Sequence, residues 1–240
     1  IQAGDDYGNG SKVVEFKRKE TSLYVKCIPM QWPLNNVPGE CTYECWIELK
    51  GNTAEVRARF NNARSDKSKY IGRHQELPAV YSNGEYYRLL TYRGDKPFSG
   101  DKVNRIPKKT GGGFPWEYWL ATENWAALVN DKDWGLGIYK PDNYLFIGGF
   151  AGKEGSGGTN DSSTGYIAPL HTEILDHNIT YDYSYTLILG SLNDIRDYAV
   201  KRGQEVGLPD WRFDKDWQHW HYQAAGRKGT DAGWPIKGYI

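Results

Sequence analysis

Two strictly alternating segments flank a Gly-Asn pair and predict a β-hairpin. Hydrophobic and polar residues alternate through 41–50 and again through 53–61, and Gly51-Asn52 lies between them. A two-residue loop of this type is typical of tight hairpins and fixes how the two strands pair. The predicted apolar pairs are Leu49 with Ala54, Ile47 with Val56, Cys45 with Ala58, and Tyr43 with Phe60. We expect this face of the hairpin to be buried.

The opposite face of the same hairpin is polar. It pairs Glu44 with Arg59, Trp46 with Arg57, and Glu48 with Glu55, so one aromatic ring lies beside a guanidinium group. Solvent exposure and a role as a binding floor both remain open for this face.

The rest of the chain predicts mostly strands and one helix. The predicted strands are 13–17, 23–28, 86–92, 118–129, 135–139, 145–150, 166–175 and 179–189, separated by clusters of Gly, Asn, Asp and Pro. Ser191 and Asp194 form the start of a helix that runs to about residue 206, because Gly207 and Pro209 end it. We therefore expect an all-β protein, a large antiparallel β-sandwich of the super-sandwich or jelly-roll type with one helix. We expect residues 1–240 to form a single domain.

Composition adds an unusual aromatic content to this picture. The 240 residues include 10 Trp, 18 Tyr and 28 Gly but one Met, which favours strands over helices. Aromatic rings also stack on the apolar faces of sugars, whereas a large sandwich core would use the same residues. The formal net charge is zero and no apolar run reaches the length of a membrane span. We expect neither nucleic acid nor a membrane as a partner.

The segment 73–81 contains the first candidate catalytic pair. If it is extended, His74 and Glu76 point to one side about 7 Å apart, and an imidazole beside a carboxylate can act as acid and base. A structural histidine bonded to a carboxylate at a sheet end is the alternative. Arg73, Tyr87 and Arg88 are candidates for orienting a substrate.

A second pair, His171 and Glu173, also shares one face of a predicted strand. Two such pairs fit acid and base catalysis or a metal site. Metal-ligand spacings such as Cys-x-x-Cys and His-x-x-x-His are absent from the sequence, so we expect no metal or cofactor. A structural calcium ion in a loop such as Asn160-Asp161 is conceivable.

A dense aromatic block spans residues 114–139. Its candidate stacking platforms are Trp116, Trp119, Trp125 and Trp134. Glu117 and Glu123 lie among them and are candidates for the two carboxylates of glycosidic cleavage, which requires either a bend between them or a partner from elsewhere in the chain. The tail contains Trp217 and His219, for which a surface loop packed over a sheet is the first explanation and a cover over a bound glycan is the alternative.

Two segments resemble galactose-mutarotase-like super-sandwich domains of carbohydrate-active enzymes. One is the run 123–139, which reads as a strand, an Asp-rich turn and a Gly-rich returning strand, and the other is 51–62. The resemblance implies a large antiparallel sandwich whose concave sheet binds sugar, with His, Glu, Arg and Tyr as the usual functional residues.

These observations predict a secreted or periplasmic carbohydrate-active enzyme. We expect it to cleave glycosidic bonds in a polysaccharide, as a glycoside hydrolase rather than a polysaccharide lyase. For a uronate substrate, Arg57, Arg59, Arg73 and Arg88 would neutralise the carboxylate. The alternative is a glycan-binding sandwich without catalysis.

The three cysteines are expected to be thiols rather than a disulfide framework. The start at Ile1 rather than Met is interpreted as processing or as a piece of a longer parent protein.

Overall fold

The computed structural model describes residues 3–111, 114–141, 143–158 and 162–206, with side chains as far as Gly203. It contains fourteen strands and one helix in these ranges. The strands are antiparallel and form two sheets, so the expected all-β architecture with a single helix is confirmed. No described helix has the length and apolar character that crossing a membrane requires.

The chain divides into two compact units, of which the first includes residues 3–73 and 173–184. Its strands pair in the order β1-β2-β3-β4-β14. Their bounds are Lys12–Arg18 for β1, Ser22–Ile28 for β2, Cys41–Lys50 for β3, Thr53–Asn62 for β4 and Thr180–Ser191 for β14, which continues into the second unit. The three cysteines of this unit are free thiols, as expected.

The β3–β4 hairpin forms in the predicted register. Leu49 pairs with Ala54, Cys45 with Ala58, and the pairing continues to Cys41 with Asn62. Gly51 has a φ of 60°, a left-handed conformation that the tight loop requires and that glycine adopts without steric cost. On the polar face the Arg57 guanidinium lies 4.1 Å from the centre of the Trp46 ring. Local sequence therefore determines the register of this hairpin, but the apolar face is buried only in part, since Val56 and Ala58 are buried whereas Leu49 is 53% exposed.

The second unit includes residues 74–172 and the described chain from Tyr185 onward. In this unit the nine-stranded sheet, called the first sheet below, has the order β14-β11-β10-β7-β8. The five-stranded sheet, called the second sheet, has the order β5-β13-β12-β9, with β6 also paired to β13. The strands are β5 Arg73–Glu76, β6 Val80–Asn83, β7 Arg88–Thr91, β8 Asn104–Arg105, β9 Glu117–Leu120, β10 Trp125–Val129, β11 Trp134–Tyr139, β12 Leu145–Ala151 and β13 Thr164–Glu173.

Three apolar clusters hold the second unit together. One joins residues of both sheets, including Leu128, Phe146 and Ile167. A second packs the outer side of the first sheet against the helix α1, Leu192–Val206, through Ile195. A third lies on the outer side of the second sheet around Tyr166. Each of these cluster residues is almost fully buried, and burial of one such side chain contributes about 1.5–3 kcal/mol.

Two strand predictions need correction. The predicted strand 118–129 is two strands, because the chain turns at Asn124, whose φ is 61°, and β9 and β10 enter different sheets. The predicted strand 86–92 is shorter in the structure, where β7 spans Arg88–Thr91.

Candidate functional site

The outer side of the sheet β5-β13-β12-β9 carries a continuous set of aromatic rings. Tyr166 on β13 is flanked by Tyr81 on β6, with 4.8 Å between ring centres, and by Trp116, with 5.0 Å between ring centres. Phe114 contacts Trp116 from the far side. Tyr118 on β9 points to the same side as Trp116, because side chains two residues apart in an extended segment share a face. We call these five residues the aromatic face.

Most of the aromatic face is accessible to solvent. The exposed fractions are 64% for Tyr81, 61% for Phe114 and 57% for Tyr118, whereas Tyr166 is buried beneath its neighbours. Three large apolar rings on one side of one sheet are an exposed patch of the kind that marks a binding surface. Flat rings of this type can stack on the C–H side of a pyranose.

A close approach of the backbone to a ring gives the Trp116 indole room against the sheet. A Cβ atom at Gly149 of β12 would lie 3.2 Å from the Trp116 ring and 2.9 Å from the carbonyl oxygen of Pro115. Because glycine has no Cβ, the indole can lie against the sheet beside Tyr166, which pairs with Gly149 across β12 and β13. The glycine-rich strand therefore creates space for the aromatic face.

The polar groups of this surface come from β5. His74 lies 6.1 Å from Tyr118 between ring centres, and Glu76 accepts a hydrogen bond from the Tyr166 hydroxyl group. Both side chains are exposed. Burial raises the pKa of Tyr166, and the hydrogen bond to Glu76 raises it further, so the phenol remains protonated and can donate to the carboxylate. The predicted pair therefore lies against rings of one surface, at the edge of the aromatic face.

The second predicted pair does not join this site. On β13, His171 has the opposite parity to Tyr166 and so points away from the aromatic face. Glu173 accepts a hydrogen bond of 2.9 Å from the Tyr181 hydroxyl group. Burial raises the pKa of Tyr181, and the charge of Glu173 raises it further.

Two of the predicted stacking platforms are core residues. Trp119 is 3% exposed and stacks on Phe146, and Trp125 is fully buried. An indole enclosed by protein has no free face for a sugar ring. Alternation explains the placement of Trp119, because Trp116 and Tyr118 point to the outer side of the sheet and the residue after Tyr118 points inward.

The two carboxylates of the aromatic block are also separated. Glu117 lies on the opposite side of β9 from Tyr118, and its carboxylate is 3.4 Å from the Lys109 ammonium group. Glu123 is fully buried, where it accepts hydrogen bonds from the Phe98 backbone and the Trp125 indole and a bidentate pair from Arg196. This enclosed ion pair gives Glu123 a structural role.

The remaining predicted residues lie elsewhere. Trp134 is 40% exposed and packs on Tyr86, and Arg73 is exposed at the start of β5. The Tyr87 hydroxyl group donates to Asp131, which raises the pKa of Tyr87, and Arg88 forms a 2.6 Å ion pair with Asp133. The residues Trp217, His219 and Asn160-Asp161 lie outside the described ranges.

The described part of the chain contains no cluster of side chains that could bind a metal ion. Across those ranges, no group of three or more His, Cys, Asp or Glu side chains is arranged to hold a metal ion. The expectation of a protein without a cofactor, with or without a structural calcium ion, stays a prediction.

Four members of the aromatic face were not singled out in the sequence. Tyr81, Phe114, Tyr118 and Tyr166 come from three separate segments of the chain, which only sheet pairing brings together. A local signal exists for Tyr118, since it shares the parity of Trp116 in a short extended run. The contact between Tyr81 and Tyr166 depends on the pairing of β6 with β13, which local spacing does not reveal.

No protein-family model matches the chain, and no curated protein does. The solved structures that align with it include a candidate mutarotase from Salmonella typhimurium, with 10% identity and a TM-score of 0.47 over 78% of this chain and 67% of that chain. A galactose mutarotase-like protein from Lactobacillus casei aligns with 12% identity and a TM-score of 0.40 over 75% of this chain and 73% of that chain. An alpha-galactosidase from Geobacillus stearothermophilus aligns with 12% identity and a TM-score of 0.45 over 80% of this chain and 30% of that chain.

Proposed function

We propose that this protein binds a polysaccharide through the aromatic face. The observation that supports the proposal is the exposure of Tyr81, Phe114 and Tyr118 on one side of one sheet, with His74 and Glu76 at its edge. Such rings provide apolar area for sugar faces, and the imidazole and carboxylate provide hydrogen bonds to hydroxyl groups. An open surface of this kind suits a long chain, which passes over it without having to enter a closed pocket.

Affinity electrophoresis in gels that contain plant, algal or microbial polysaccharides tests the proposal. We expect wild-type protein to be retarded by at least one of these glycans. Tyr118→Ala and Tyr81→Ala should each weaken binding about fivefold, because loss of a stacking ring removes on the order of 1 kcal/mol of binding free energy.

Tyr7→Ala is the matched control for these variants. Tyr7 is 63% exposed, which is close to the 64% of Tyr81 and the 57% of Tyr118. It belongs to the first unit rather than to the aromatic face. Retardation that survives in both test variants, or that falls equally in the Tyr7 control, would contradict the proposal.

Cleavage of glycosidic bonds is the second candidate function, and the shared surface of His74 and Glu76 favours it. On a bound glycan, a carboxylic acid can protonate the leaving oxygen while a base activates water, which is the chemistry of hydrolysis. A base that removes a proton beside a uronate carboxylate would instead produce elimination. We favour hydrolysis, with His74 and Glu76 as the acid and base.

Reducing ends and absorbance at 235 nm, measured together, distinguish these reactions. Hydrolysis produces reducing ends alone, and elimination produces both signals. His74→Ala and Glu76→Gln should each lower turnover at least 100-fold if they are the acid and base. Full turnover in either variant would exclude that residue, and glycan binding with neither signal in the wild type would leave the binding function alone.

We further propose a secreted or periplasmic location, because polymeric glycans are encountered outside the cytoplasm. Fractionation of the native source with an antibody against the protein tests this, and recovery in the cytoplasmic fraction would contradict it.

A further inference from the structure

A second surface of the second unit, distinct from the aromatic face, is an open groove of about 660 Å³ at the β7–β8 edge of the first sheet. Four cationic side chains line it, namely Arg88, Arg93, Lys102 and Arg105. Asp133 is the one carboxylate among the lining residues. In a chain whose formal net charge is zero, this groove is a local concentration of positive charge.

Two of the four cations are already neutralised and two are not. Arg88 pairs with Asp133 at 2.6 Å, and Arg105 lies 3.8 Å from Glu154. Within the described ranges, the Arg93 guanidinium and the Lys102 ammonium groups have no hydrogen-bond or ion-pair partner. The segment between β7 and β8 therefore contributes two positive charges that no described acidic side chain pairs with.

The other lining groups restrict what kind of anion fits. Leu90, Val103 and Leu192 supply apolar surface. The side-chain oxygen of Asn104 accepts a hydrogen bond from the backbone N–H of Arg93, so the side-chain NH₂ group of Asn104 can donate to a ligand. The described lining contains no aromatic ring on which a nucleobase could stack. The volume exceeds that of a small inorganic anion. This combination suits a ring with an apolar side, several hydroxyl groups and one acidic substituent.

We infer that this groove binds an acidic saccharide, in which a carboxylate or sulfate group of the sugar contacts Arg93 and Lys102. Arg88 and Arg105 stay ion-paired and contribute to the positive potential of the groove. The inference concerns a second site and does not depend on the aromatic face.

Isothermal titration calorimetry with paired polymers tests the inference on the full chain. Polygalacturonate and its full methyl ester share a backbone and differ in carboxylate charge, whereas dextran sulfate and dextran differ in sulfate. We expect each charged polymer that fits to bind at least tenfold more tightly than its uncharged partner. The two pairs also show which acidic group the groove prefers.

The test variant is the double substitution Arg93→Gln and Lys102→Gln, and the control is Lys12→Gln with Arg18→Gln. The control also removes one lysine and one arginine charge, but from exposed positions of β1. We expect the groove variant to lose at least tenfold in affinity for the acidic polymer and the control to retain it. Equal loss in both variants, or equal wild-type affinity for the acidic and uncharged polymers, would overturn the inference.

Two further measurements separate this inference from its rivals. A thymidine oligonucleotide that binds more tightly than either acidic polymer, and loses binding in the groove variant, would assign the groove to nucleic acid and overturn the inference. The affinity of the wild type and of Tyr118→Ala for the uncharged methyl ester measures glycan binding at the aromatic face, independently of the groove. Failure of the groove and failure of the proposed function are therefore distinguishable.

Discussion

Two arginines of this protein show how burial changes the cost of removing one partner of an ion pair. Arg59 makes a bidentate pair with Asp182 through two contacts of 2.7 Å, but both side chains are more than a third exposed. Arg196 makes a slightly longer pair with Glu123, which is fully buried. Removal of one partner costs little in water and much in the interior, because the other charge remains without compensation.

We therefore expect Arg196→Met to lower the free energy of unfolding by about 3–5 kcal/mol. The matched variant Arg59→Met should lower it by less than about 1 kcal/mol, because water replaces the lost partner. Urea unfolding followed by tryptophan fluorescence measures both. Equal losses in the two variants would show that Glu123 is less enclosed than the structure indicates.

Asp5 predicts how the protein responds to acid. Its carboxylate accepts hydrogen bonds from the backbones of Tyr7, Asn9 and Asn36 and from the Asn9 side chain. Burial raises the pKa of Asp5, but these hydrogen bonds together outweigh it and lower the pKa to about 2. Because the folded pKa lies below the ordinary value of 3.8, Asp5 stabilises the fold above about pH 4. This contribution disappears as the pH falls towards 2.

The corresponding measurement is urea unfolding at pH 7, 4 and 2.5. We expect the free energy of unfolding of Asp5→Asn to depend less on pH below 4 than that of the wild type. Asp6→Asn is the control, since Asp6 is an exposed neighbour whose carboxylate makes no hydrogen bond within the described ranges. Identical pH dependence in Asp5→Asn and the wild type would contradict this account.

At the scale of elements, the helix α1 packs unusually close to β11. A Cβ atom at Gly137 would lie 2.2 Å from the Cγ2 atom of Ile195, so the helix and the strand approach each other through a glycine. We expect Gly137→Ala to lower the free energy of unfolding by about 1–3 kcal/mol, because the methyl group overfills the contact. Gly10→Ala is the control, as a Cβ atom there meets nothing within 4 Å. Thermal unfolding of both variants measures the difference, and unchanged stability of Gly137→Ala would mean that the helix moves away freely.

The elements also show which parts of the fold local sequence determines. The β3–β4 hairpin follows from sequence because its two-residue loop fixes the register of every pair. The break between β9 and β10 does not, since the alternation alone does not show that the chain turns there, and the turn depends on a left-handed backbone at Asn124. Likewise, alternation placed His74 and Glu76 on one side of β5, but their contacts with Tyr118 and Tyr166 arise from strands far along the chain.

At the scale of the whole molecule, charge is distributed unevenly although it sums to zero. The groove at the β7–β8 edge brings together four cations, two of which have no partner among the described residues, whereas Arg59 in the first unit is paired with Asp182. Net charge therefore excludes a general attraction to polyanions but not a local one. The composition alone could not reveal this groove, because its residues come from β7, β8, the segment between them, the turn between β10 and β11, and the start of α1.

The path of β14 has a consequence for the newly made chain. The strands β1 to β4 are complete by Asn62, but their sheet needs residues of β14, which begins at Thr180. At ordinary translation rates, the ribosome needs roughly 6 to 24 seconds to add the residues between these two points. Until then β4 has an unpaired edge, which is the kind of edge that captures other strands. The speed of translation through the intervening segment therefore sets how long a nascent chain is open to aggregation.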